Sequence, residues 1–252
     1  MNRKILNCIS TIDEFIIGEY NNLEIGVEIQ DFTEPNLNYD EINDLVDKYK
    51  SIFKDFKYIK SIHGPFLDLK PSSPDAEIRR VSQMRYLKVL NIAIELDVDY
   101  IIFHSQINPD LNEPSLRKLN NRQSKEFWVD ILKELKDFKG TILIENIFEK
   151  DPEMLKELIE AIDLPNIKIN LDVGHCRLSN VSLETWIKEL KDHIAYIHLH
   201  SNNGIYDQHL QPSQEEIRTL YKLLDKYNLD PVIALEYKVD NLENELNHIL
   251  LK

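Results

Sequence analysis

Cysteine is scarce in this chain: Cys8 and Cys176 are the only two in 252 residues. That excludes a disulfide-stapled scaffold and leaves no cysteine cluster for a structural zinc site. The expectation is two free thiols in a reducing compartment. Long apolar runs are missing too. No window approaches the length of a membrane span, and the opening MNRKILNCISTIDEF has no signal-peptide core. A cytoplasmic protein with no membrane partner is expected. No Gly/Ser-rich or Pro-rich stretch divides the sequence, so residues 1–252 read as one domain. Positive charge is short as well. The net charge of -14 speaks against a nucleic-acid backbone as partner, although a local basic patch or bound metals would still permit one. Apolar residues make up 42% of the chain and charged residues of both signs 29%, which gives a sizeable core and no sign of disorder.

Short β-branched runs recur through the chain: KILNCI, LEIGVEI, YIKSIHG, YIIFHS, TILIEN, IKINLDVGH, IAYIHLH and PVIALEY. They are nearly continuous in hydrophobicity, as parallel strands covered on both faces must be. Amphipathic stretches lie between them. DAEIRRVSQMRYLKVLNIAIEL has Asp75 placed to cap its start, DPEMLKELIEAI has Pro152 in a first-turn position, and SLETWIKELKDH has Ser182 and Glu184 one residue short of a capping box. SKEFWVDILKELKDF, SQEEIRTLYKLLDKY and NLENELNHILLK complete the series. Eight strand–helix repeats over this length predict an α/β fold, a closed (β/α)8 barrel. The helices after the first two strands look weak or short, which keeps an open doubly wound sheet as the alternative.

Barrels of this kind build their sites at the C-terminal strand ends. Strand 2 ends with Glu28, strand 3 with His63, strand 4 with His104, and strand 5 with Glu145 and Asn146. Strand 6 carries Asp172 and then His175; strand 7 carries His198 and His200, with Asp207 and His209 in the loop beyond; strand 8 carries Glu236. One histidine on an apolar strand is ordinarily a core residue. Six successive strands delivering imidazole or carboxylate at one end are a pattern. Buried carboxylates need cations, and mixed imidazole and carboxylate donors suit Zn2+, Mn2+ or Fe2+ better than Mg2+ or Ca2+. His193, at a helix end, and His248, on the last helix, are assigned no role. His198 reads as a ligand, and His200 as a substrate contact or a support to the ligands.

With these residues in place, the chain resembles the xylose-isomerase-like TIM barrels, from GVEI on strand 2 to ALEY on strand 8. That superfamily holds sugar isomerases and epimerases as well as the endonuclease IV group of abasic-site endonucleases. LDVGH together with HL…DQH carries the likeness; HGPF and IEN add less. The nuclease pattern implies three zinc sites: His63, His104 and Glu145 at one; Glu145, Asp172, His198 and Glu236 at a second; His175, Asp207 and His209 at a third. The epimerase pattern implies one Mn2+-type ion on Glu145, Asp172, His198 and Glu236, with Glu145 and Glu236 as the paired acid and base.

A sugar or sugar-phosphate isomerase or epimerase working through an enediolate is the favoured expectation. It takes one to three Zn2+ or Mn2+ ions per chain and a small sugar rather than DNA, with homo-oligomerisation left open. QDFTEPNLNYDEIND, after strand 2, has no Lys or Arg with which to grip a duplex. Metal-dependent phosphodiester hydrolysis at an abasic site is the alternative. A barrel that binds without turnover would lack a ligand position, and none is missing. Glu28, His200 and Lys238 are weaker substrate-contact candidates, and Arg177 a weak candidate for phosphate.

Overall fold

The computed structural model describes residues 3–135 and 138–251. Positions 136–137 and 252, at the ends of two of the expected helical stretches, lie outside the described residues. The elements alternate as β1 (Ile5–Ile9), α1 (Ile17–Leu23), β2 (Gly26–Ile29), α2 (Tyr39–Phe53), β3 (Lys60–His63), α3 (Ala76–Glu95), β4 (Tyr100–His104), α4 (Pro114–Glu134), β5 (Thr141–Glu145), α5 (Glu153–Ile162), β6 (Ile167–Asp172), α6 (Val173–Arg177), α7 (Leu183–Leu190), β7 (Ile194–Leu199), α8 (Gln214–Lys226), β8 (Val232–Leu235) and α9 (Leu242–Ile249). All strands are parallel and each pairs with its sequence neighbour. The ring closes where β1 meets β8, Ile5 opposite Ile233 and Asn7 opposite Leu235. This closure rules out the open sheet.

Strand alternation sorts the side chains into two cores. Outward residues such as Ile101, Phe103, Ile142, Ile144, Ile197 and Ile233 pack under the helices. Inward residues Leu6, Ile102, Leu143, Tyr196, Val232 and Ala234 fill the barrel itself. Two residues further along most strands, the inward position becomes polar. That step up the pleat sets the polar rim directly on an apolar plug. On β7 the register slips against β6 between Ile169 and Asn170. The extra residue brings Tyr196 opposite Asn170 and His198 opposite Asp172.

The helix starts follow local chemistry. Asp75 caps α3 by accepting from the backbone N–H groups of Glu77 and Ile78, as expected. Ser182 caps α7 through Thr185 N–H without a reciprocal glutamate. Pro152 sits at the N-cap of α5, just before the first turn rather than within it. The expectation of weak early helices holds for α1, with 7 residues, but not for α2, which has 15 and a full capping box from Asn38 and Glu41. Ile42, Val46, Tyr49 and Phe53 form its buried stripe. Among the described residues no helix is long and apolar enough to cross a membrane.

Candidate metal centre

The inward step from plug to rim delivers the donors at the strand ends. Tyr196 leads to His198, Asn170 to Asp172, Leu143 to Glu145 and Ile102 to His104, each two residues on. Cross-strand register then makes neighbours of His104 and Glu145, and of Asp172 and His198. The donors form overlapping groups whose ligand atoms lie within 4.8 Å of one another. His63, His104 and Glu145 make one group, and Glu145, Asp172, His198 and Glu236 another. Asp172 with His175 and His200, and His200 with Asp207 and His209, make two more. A fifth group brings Cys8 and Glu28 to His198, so the nine positions singled out in the sequence all fall within this constellation, and His200, Glu28 and Cys8 join it.

Ring-nitrogen partners show how the imidazoles are presented. Nδ1 of His63 donates to the carbonyl of Gly64, Nδ1 of His175 to that of Asn146, and Nδ1 of His209 to that of Glu236, all at 2.8 Å. A carbonyl can only accept, so in each ring Nδ1 carries a proton and Nε2 is the nitrogen turned to the interior. His198 is held the other way round. Its Nε2 lies 3.1 Å from both Glu28 oxygens, leaving Nδ1 to face Glu236 Oε2 at 3.0 Å, Glu145 Oε2 at 3.4 Å and Asp172 Oδ2 at 3.8 Å. Metal-binding histidines are oriented in this way, one nitrogen fixed by a carbonyl or carboxylate and the other free.

A cation fits these residues on three observations. His198 Nδ1 and Glu236 Oε2 are buried and close together, yet neither has a hydrogen bond among the described residues, and His200 Nδ1 is in the same position. A buried ring nitrogen and a buried carboxylate oxygen that converge without a hydrogen bond are placed as two ligands of one ion would be. Second, Glu28, Glu145, Asp172 and Glu236 are buried together with only imidazoles as cationic partners within the donor groups. Burial pushes Glu145 up, but the imidazoles of His198 and His63 hold it well below the ordinary carboxylate range. Burial pushes His198 down, and the carboxylates of Glu236, Glu28 and Glu145 lift it well above the usual imidazole value. Protons thus do the work that a divalent ion would take over. Third, donor types match: imidazole nitrogen and carboxylate oxygen suit Zn2+ or Mn2+. His104 is the exception in charge, since burial drives it down to about 3 and keeps it neutral, a free base beside Glu145.

The trio expected at the third site is divided: His175 groups with Asp172 and His200, His209 with Asp207 and His200, and the half-exposed Asp207 links the two histidines. Asp207 Oδ2 lies 3.2 Å from His175 Nε2 and 2.8 Å from His209 Nε2. Burial lowers His175, but Asp172 and Asp207 outweigh it and bring it up to about 10. His209 follows the same logic, lifted chiefly by Asp207 to about 9. His209 itself takes a left-handed backbone, φ 47°, a conformation uncommon outside glycine and concentrated where a site demands it. Asp172 unites the groups. Its Oδ1 accepts from His175 N–H at 2.7 Å as the N-cap of α6, while its Oδ2 lies 3.0 Å from His200 Nε2. Gly174 is needed there: any Cβ at that position would stand 1.9 Å from His200 Cε1.

Glu28 was expected at the mouth as a substrate contact. It is fully buried instead, its oxygens taken by Tyr196 Oη at 2.7 Å and by His198, so it orients the His198 ring. His200 stacks on His209 with centroids 4.1 Å apart. Lys238 is exposed at the rim and paired with Asp240, and Arg177 is paired with Glu216. The residues that the sequence left without a role are amides. Asn146 brackets the backbone of Asp172, donating to its carbonyl at 3.1 Å and accepting from its N–H at 2.9 Å. Asn170 donates to Glu145 Oε2, and Gln30 to Glu236 Oε1, both at 3.0 Å. For Asn170 the inward position on β6 was the available signal, whereas Asn146 and Gln30 lie just beyond the ends of β5 and β2.

A parallel (β/α)8 barrel with imidazoles and carboxylates gathered at its C-terminal rim defines the class of protein. The chain belongs to the xylose isomerase-like TIM barrel family, whose pattern matches residues 24–250. It is 36% identical over 205 residues to the uncharacterized protein MJ1614 of Methanocaldococcus jannaschii, covering 75% of this chain and 74% of that protein. In fold it is similar to the TTHB071 protein from Thermus thermophilus, studied after soaking with ZnCl2. That likeness has a TM-score of 0.76 at 24% identity and covers 100% of this chain and 97% of the other. It is also similar to a D-tagatose 3-epimerase-like protein, with a TM-score of 0.75 at 21% identity over 98% of each chain.

Proposed function

We propose that this protein is a divalent-metal-dependent sugar isomerase or epimerase. The observation that carries the reading is the convergence of two glutamates from distant parts of the sheet, Glu145 at the end of β5 and Glu236 just beyond β8, on one imidazole nitrogen of His198. Glu145, Asp172, His198 and Glu236 would hold a Zn2+ or Mn2+ ion, which as a Lewis acid polarises a sugar carbonyl and its neighbouring hydroxyl. The chain's own residues move the proton. One glutamate accepts it from the carbon beside the carbonyl, and the other returns it. Asn170 and Gln30 each hold one oxygen of their glutamate, fixing how the carboxylate is turned. The acidic surface and the loop after β2, free of Lys and Arg, further support a small neutral substrate over DNA.

The second reading, phosphodiester hydrolysis on up to three ions, is favoured by the third cluster of His175, Asp207 and His209, which a single-ion epimerase does not use. The test sets the two side by side. Metal-loaded protein is incubated with ketohexoses in D2O and, separately, with an abasic-site duplex. Deuterium entering carbon, lost by about a thousandfold or more in Glu145→Gln and in Glu236→Gln, is the expected result. Duplex cleavage lost in Glu145→Gln, without sugar exchange, overturns the proposal.

A further inference from the structure

Beside the donor groups, sharing Glu236 and His209 as a wall, lies a cleft of about 610 Å3 bounded by the ends of β1 and β8. This is a usual size for a small-molecule site. Its floor carries Asn7, 7% exposed, whose Nδ2 donates to Tyr20 Oη at 2.9 Å and whose Oδ1 has no hydrogen-bond partner among the described residues. Glu14, Glu19 and Asp240 stand along its sides with Glu236. One Glu14 oxygen accepts from Ser10 N–H, which leaves the other open. Against these carboxylates there is one ammonium, Lys238, and Asp240 stands 3.3 Å from it. His209 offers no free cation, since its Nδ1 is given to the Glu236 carbonyl and its Nε2 to Asp207.

We propose that this cleft is a subsite for the part of the substrate remote from the reacting carbon, and that it takes hydroxyl or ammonium groups and rejects phosphate. The inference rests on the sugar reading above and names the substrate class: a free or amino sugar, not a sugar phosphate. Apart from the Lys238 ammonium, which Asp240 pairs, its open charged groups are carboxylate acceptors, so a donor-bearing ligand satisfies them, whereas a phosphate brings more acceptors and like charge. Rejection by repulsion is as much a source of specificity as attraction.

The test is calorimetric binding to metal-loaded protein of D-fructose, 6-amino-6-deoxy-D-fructose and D-fructose 6-phosphate, in wild type and in the double variant Glu14→Gln, Glu19→Gln. Glu14 is exposed and Glu19 half-buried, and an unchanged melting midpoint checks that the variant folds. The expected result is binding of the free and amino sugars at least about tenfold tighter than the phosphate ester. The double variant narrows that ratio, which separates the cleft's contribution from any attraction of phosphate to the ions. Equal or tighter binding of the phosphate ester, an unchanged ratio in the double variant, or no binding of any of the three overturns the subsite. Failure of the enzymatic reading is distinguishable: the expected ratio without deuterium exchange refutes the isomerase and leaves the subsite standing. Exchange in fructose with the phosphate ester bound more tightly does the reverse.

Discussion

In the metal-free protein, Asp207 sits between two imidazoles that burial alone would hold neutral and that neighbouring carboxylates protonate, His175 up to about 10 and His209 up to about 9. Nε2 of each is the nitrogen a metal would take, so loading this cluster displaces about two protons anywhere between pH 6.5 and 8.5. Affinity there should rise by about a hundredfold per pH unit. His209→Gln leaves one proton to displace and should reduce the slope to about tenfold per unit. The sign for the free fold is opposite. Both imidazoles are raised above 6.5, so their ion pairs contribute fully below that pH, and the contribution fades as pH climbs through about 9 and then about 10. The assay is competition for Zn2+ with a chromophoric chelator at several pH values. Calorimetry in two buffers of different ionisation enthalpy counts the protons, and Asp207→Ala serves as the reference lacking this cluster. An affinity difference between wild type and Asp207→Ala that changes by less than about tenfold across the whole range would refute the protonated pair.

The remaining predictions concern the supports of the ring. Gly174→Ala forces a methyl into the His200 ring, which Asp172 and His209 hold in place, so stability should fall by about 1–3 kcal/mol. A melting curve shows this, and an unchanged midpoint would mean that His200 is free to move. Glu28→Gln removes the charge that fixes Nε2 of His198, and metal affinity should weaken by about ten- to a hundredfold. Equilibrium dialysis measures it, with the circular dichroism spectrum unchanged. Wild-type affinity in that variant would show that His198 needs no such support.

The barrel was legible because each strand is a continuous apolar run, and the rim because acids and imidazoles on such runs are conspicuous. α2 was undervalued because its stripe of Ile42, Val46, Tyr49 and Phe53 is diluted by charged residues at nearly every other position. Glu28 was misjudged because the end of a strand in sequence says nothing about what stands above it; the Tyr196 hydroxyl and the His198 ring close over it. Asn146 and Asn170 drew no role because an amide in an apolar run signals neither acid, base nor ligand. Their part emerges only when β5 and β6 lie side by side.

Asp172 ends a strand, begins a helix, and turns one oxygen to each of two histidines. The peptide turn that lets the chain leave the sheet here is thus also the jig that sets His175 and His200. A chain that has made this corner has already laid out part of its chemistry. In this stretch, architecture and reactivity are written in the same few atoms, and neither is free to drift without the other.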